Sequence, residues 1–104
     1  MFRSFGGSPA VGDKEAEQRE IYYSGRVQGV GFRYTARAMA TRHKIAGFVR
    51  NMPDGRVHMI VEGAPDEIQK FIDSLEAEMS GYIQNVQQSV LPATGGFRGF
   101  EIRF

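Results

Sequence analysis

The stretch Gly25-Arg26-Val27-Gln28-Gly29-Val30-Gly31-Phe32-Arg33 decides how this chain is read. It carries the marks of a strand end, a tight turn and the first turn of a helix. Gly29 and Gly31 allow a sharp bend and leave no side chains over it. Backbone N–H groups at such a helix start can converge on one point and form a ready anion site. Arg33 then places an always-charged fork in the first helical turn. The helix dipole disfavours a cation at that end. An arginine there therefore suggests an anion to meet, most simply a phosphate.

Working outward, Ile21 to Val27 alternates, with Ile21, Tyr23, Gly25 and Val27 on one face, and reads as a strand. Phe32 to Arg42 has helical spacing through Phe32, Ala36, Met39, Ala40 and His43, with Tyr34, Arg37 and Arg42 turned outward. Ile45 to Asn51 and Arg56 to Glu62 read as two strands joined at the turn Pro53-Asp54-Gly55, hence a hairpin. Gly63-Ala64-Pro65-Asp66 opens a second helix, whose apolar stripe is Ile68, Phe71, Ile72, Leu75 and Met79. Tyr82 to Ser89 is a weaker strand, Leu91 to Gly96 a loop, and Phe100, Ile102 and Phe104 alternate in a closing strand. The predicted fold is α+β. It is a ferredoxin-like split β-α-β sandwich of order β-α-β-β-α-β, an antiparallel sheet with both helices on one face. That architecture hosts many functions and decides little by itself.

Composition sets the bounds. The 104 residues fit one small domain, and 41% hydrophobic content with 8 Phe and 4 Tyr suffices for a modest core. A net charge of +1 gives no global case for nucleic acid or an anionic membrane. With no cysteine, disulfides and thiolate chemistry are excluded. Residues 1–19 are Gly-, Ser- and charge-rich and read as a flexible tail, so residues 20–104 form the expected domain. No membrane span or secretion signal is legible, so a cytoplasmic location is expected.

Two familiar glycine-loop chemistries fail here. The dinucleotide fingerprint needs a glycine where this chain has Tyr34, and no Gly-Lys-Ser/Thr run exists for a nucleotide P-loop. No cofactor is expected. His43 and His58 stand apart without metal-ligand spacing and read as packing or surface residues, so no metal is expected either. Arg26 and Arg50 read as solvated strand charges, and Tyr34 and Tyr82 as surface or sheet-cover aromatics.

The run Val27-Gln28-Gly29-Val30-Gly31-Phe32-Arg33 resembles the signature of the acylphosphatase family. Gly47-Phe48-Val49-Arg50-Asn51, followed by Asp54-Gly55-Arg56-Val57, is similar to that family's second signature, in the expected order and separation. His43-Lys44 replaces a frequent Leu-Gly, Phe48 a Trp or Tyr, and His58 a Glu; none of these touches the presumed chemistry. The resemblance implies hydrolysis of a small-molecule acyl phosphate to a carboxylate and inorganic phosphate, by a monomer, without nucleic acid or membrane. It implies that Gln28, Gly29, Val30, Gly31, Phe32 and Arg33 form the phosphate loop, with Arg33 and Asn51 catalytic. A catalytically silent domain of this family, or an RNA-binding module on the same architecture, are the alternatives. The second lacks the aromatic and basic run such modules carry.

Overall fold

The computed structural model describes residues 16–104. Seven elements follow one another: β1 (Glu17–Gly25), α1 (Phe32–Ala40), β2 (Ile45–Asn51), β3 (Val57–Gly63), α2 (Pro65–Glu78), β4 (Ile83–Pro92) and β5 (Phe100–Arg103). The sheet order is β4-β1-β3-β2-β5. β1 pairs antiparallel with β3 and β4, and β3 antiparallel with β2. This is the α+β ferredoxin-like arrangement expected from the sequence.

The period-2 patterns place Ile21 and Tyr23 of β1, Val49 of β2, and Val57, Met59 and Val61 of β3 on the face that the helices cover. All six are fully buried. Phe32, Ala36 and Ala40 of α1 and Ile68, Phe71, Ile72 and Leu75 of α2 close the same core. Full burial of each large aliphatic or aromatic side chain there contributes about 1.5–3 kcal/mol. Tyr23 lies against Phe32 at 5.0 Å between ring centres, and its hydroxyl donates to Glu76 Oε2 at 3.0 Å, tying β1 to α2. Burial, then the Glu76 charge and hydrogen bond, push the Tyr23 phenol well above its ordinary pKa.

The structure departs from the sequence reading in four main ways. β1 begins at Glu17, not Ile21, so residues 17–19 of the expected tail are paired strand; residues 1–15 of that tail lie outside the described residues. The polar run hid the strand because its side chains find partners within the fold. Arg19 Nε bonds Glu17 at 2.7 Å, Arg19 Nη1 bonds Gln69 at 2.6 Å, and Gln18 donates to Glu62 at 2.6 Å. β4 runs on to Pro92, where a loop was expected from Leu91, because the long β1 offers it a partner as far as Glu17↔Pro92. α1 stops at Ala40, and His43 leaves the expected stripe for a turn, its ring edge-on to Phe71 at 6.0 Å.

The fourth difference concerns β5, which pairs parallel with β2, so the sheet is mixed. The chain leaves β4 at one edge and must reach the other. Residues 93–99 cross the sheet face opposite the helices. Thr94 N–H and Oγ1–H and Gly95 N–H donate to Glu62 at 2.8–3.0 Å, and Phe97 packs on Phe48 at 6.0 Å. Gly47 N–H then meets Gly99 O at 2.9 Å, and β5 runs alongside β2 in the same direction.

Candidate active site

β1 and β2 both run antiparallel to β3, which lies between them, so they finish at the same end of the sheet, and the loop 26–31 connects β1 to α1. Gly29 and Gly31 have φ of 78° and 81°, the left-handed region that favours glycine. Gly31 is the N-cap of α1 and offers no side-chain cap, so the first helical N–H groups stay free of one. No acidic residue occupies the first turn of α1; Arg33 does. By contrast the first turn of α2 carries Asp66 and Glu67 behind Pro65, the arrangement that the helix dipole favours.

A cavity of about 150 Å³ opens at this point, lined by Val27, Gly29, Gly31, Phe32, Arg33, Tyr34 and Asn51. Neither Gly29 nor Gly31 has a heavy atom within 4 Å of where a Cβ would stand, so the bend leaves open space above it. Asn51 ends β2, paired with Val57. Its Oδ1 is buried and has no hydrogen-bond partner among the described residues. Buried polar side-chain atoms are nearly always paired, and one left bare at a cavity wall points to a ligand or a water.

The expected site residues therefore part company. Gly29, Gly31, Phe32, Arg33 and Asn51 border one cavity. Val30 instead packs against the core. Gln28 turns its side chain away toward the β2–β3 turn, donating from Nε2 to Met52 O at 2.8 Å and Arg56 O at 2.9 Å. Val27 and Tyr34 join the lining, which sequence alternation did not single out; Tyr34 is 53% exposed, with the Arg37 guanidinium 5.6 Å from its ring centre. The Arg33 guanidinium lies 4.8 Å from the ring centre of Phe104, itself open to solvent.

The two histidines are packing residues. His58 is buried between Tyr22, stacked at 4.5 Å, and the edge of Phe48 at 5.6 Å. Arg50 Nε donates to its Nδ1 at 3.0 Å, which leaves Nε2 as the donor to Glu20 at 2.8 Å. Arg50 is thus bound to the sheet face rather than simply solvated. Glu62 was not singled out from the sequence at all. Burial alone raises its carboxyl pKa, but the hydrogen bonds from Thr94 N–H, Gln18, the Thr94 hydroxyl and Gly95 N–H outweigh that and hold it below the ordinary range.

The cavity is small and cationic, bordered by Gly29, Gly31, Arg33 and Asn51. It has room for a compact oxyanion with a water beside it. Among the described residues no helix is long and apolar enough to cross a membrane.

Known proteins resemble this chain over most of its length. The model of the family described as Acylphosphatase matches residues 19–102. An acylphosphatase of Rubrobacter xylanophilus is 41% identical over 93 residues, covering 86% of this chain and 83% of that protein. One of Aeropyrum pernix is 39% identical over 100 residues, covering 94% and 98%. The crystal structure of acylphosphatase from Bacillus subtilis superposes with a TM-score of 0.76 at 31% identity, over 85% of this chain and 99% of that one.

Proposed function

This chain belongs to the acylphosphatase family and is a hydrolase of that kind, and from that premise we propose how its residues divide the work. The amides of the loop 28–33 and the Arg33 guanidinium hold the phosphoryl oxygens of a small acyl phosphate. Asn51 holds the attacking water. The observation that carries this reading is that Asn51, whose Oδ1 has no partner among the described residues, lines the same cavity as Gly29, Gly31 and Arg33.

Phosphoryl transfer asks the protein for position and for charge stabilisation rather than covalent chemistry. The loop supplies convergent donors, and Arg33 a planar fork matched to two oxygens. The amide of Asn51 both accepts and donates, so Oδ1 accepts a hydrogen bond from the water and turns the oxygen lone pair toward phosphorus. Water attacks, the P–O bond to the acyl oxygen breaks, and its electron pair leaves with the carboxylate. Ordinary carboxylic acids have a pKa of roughly 4, so this group departs without a proton. The water proton passes to a phosphate oxygen. This route needs no histidine or carboxylate in the cavity, which fits the lining residues.

Phosphate release from benzoyl and acetyl phosphate tests the proposal. The full chain should turn over both, with a chelator present. Arg33→Ala should lose affinity for inorganic phosphate and kcat together. Undiminished activity in Arg33→Ala would overturn the site, and loss of wild-type activity to the chelator would overturn the metal-free route.

A further inference from the structure

We propose that the side chain of Gln28 is a positioning residue that keeps the phosphate loop in register with Asn51. The two halves of the site belong to different parts of the chain. Backbone pairing between β1 and β3 ends at Tyr23↔Val57, and the loop that follows is no longer part of the sheet. Among the described residues, the hydrogen bonds that join this loop to the β2–β3 turn come from one atom. Gln28 Nε2 donates to Met52 O at 2.8 Å and to Arg56 O at 2.9 Å. Arg56 O also accepts from Met52 N–H at 2.8 Å, so the two carbonyls belong to the mouth of a single closed turn directly after Asn51.

A primary amide suits this place. Its nitrogen carries two hydrogens, one for each carbonyl, and no charge to desolvate. A glutamate of equal length would present only acceptors to two acceptors. The root of the loop is fixed separately, by Arg26 N–H to Tyr82 O at 2.9 Å, a contact that does not involve β2. Gln28 therefore governs one relation, the placing of the loop against Asn51. Loss of its donors leaves the loop amides and Arg33 intact for phosphate but lets the water holder drift. A displacement of about 1 Å at such a distance can lower a rate by up to about 100-fold.

This inference rests on the proposed role of Asn51, and the experiment separates the two. Gln28→Met and Gln28→Glu are made in the full chain. Both are assayed with benzoyl phosphate well below their melting temperatures, with inorganic phosphate as inhibitor. The expected result at neutral pH is a fall in kcat of about tenfold or more in both, with phosphate affinity changed by less than about threefold. As the pH falls, Gln28→Glu should regain activity relative to the wild type, because a protonated carboxyl recovers one donor; Gln28→Met should not. Wild-type kcat in Gln28→Met, or equal losses of kcat and phosphate affinity, would overturn the proposal. If Gln28→Met does not fold, Gln28→Glu compared at acid and neutral pH carries the test within one protein, and absence of recovery overturns it. Asn51→Ala is run beside them. Its full activity would overturn the site reading underneath, whereas an inactive Asn51→Ala beside a fully active Gln28→Met overturns this inference alone.

Discussion

The hairpin of β2 and β3 carries a polar side chain with buried oxygen near each end, and the two ends are finished in opposite ways. Glu62, near the end of β3, receives four hydrogen bonds, from Gln18 Nε2, Thr94 N–H, Thr94 Oγ1–H and Gly95 N–H. Asn51, roughly 17 Å away along the hairpin, has an Oδ1 with no partner among the described residues. The first end is closed: the carboxylate straps the crossing segment to the sheet. The second is open, beside a glycine cradle and an arginine. The helix starts repeat the contrast, since α2 begins with Asp66 and Glu67 and α1 with Arg33. Burial alone does not separate structural from functional polar groups; whether the fold itself meets their hydrogen bonds does.

Changes at the open end should be read in rate, and changes at the closed end in stability. The largest effect belongs to Arg33→Ala. We expect kcat/KM for benzoyl phosphate to fall by about 10³-fold, about 4 kcal/mol of transition-state stabilisation, with the melting temperature no lower than wild type. Next comes Glu62→Ala. It strands buried donors of the crossing segment and should lower unfolding free energy by about 2–3 kcal/mol in urea titrations. Folded Glu62→Ala should keep its activity within about twofold, because the strap lies at the far end from the cavity.

Acid should loosen the closed end in a defined direction. The folded Glu62 carboxyl titrates below its ordinary value of 4.5. Its contribution to stability is therefore complete above that ordinary value and is lost as pH falls through the lower, folded one. Melting temperatures followed from neutral pH into that range should drop, and Glu62→Gln should drop less steeply. The smallest effects come from glycine. Gly31 and Gly55 have φ of 81° and 96°, and neither has an atom within 4 Å of an added Cβ. Alanine at either should cost about 1–2 kcal/mol of backbone strain. Only Gly31→Ala should also weaken inhibition by inorganic phosphate.

Local chemistry explains how much of this could be read in advance. Ile45–Asn51 and the turn after it were legible to the residue, because β-branched residues end abruptly at Pro53-Asp54-Gly55. So were the buried faces of β3 and α2, where the apolar period is regular. Residues 17–19 and the end of β4 were not, since nothing local marks a polar strand whose side chains find partners 44 to 69 residues away. The parallel β5 depends on where the crossing segment is anchored, and that anchor is a single glutamate on another strand. At the site, Gly29, Gly31 and Arg33 stand out because each is an unusual residue for its local position, whereas Asn51 reads locally as an ordinary strand end before a turn and came forward only through the resemblance of its segment to the family's second signature. The part played by Gln28 did not stand out. Within the loop it reads as one more amide donor, and only the folded chain shows its side chain reaching across to Met52 and Arg56.

The open end is tested most directly by measuring Asn51→Ala twice in one preparation, for turnover of benzoyl phosphate and for the rise in melting temperature that inorganic phosphate produces. We predict that kcat falls by about 100-fold or more, while phosphate still protects the fold as it protects the wild type. Unchanged turnover, or protection lost in step with it, would contradict a site in which the loop and Arg33 hold phosphate and Asn51 holds water.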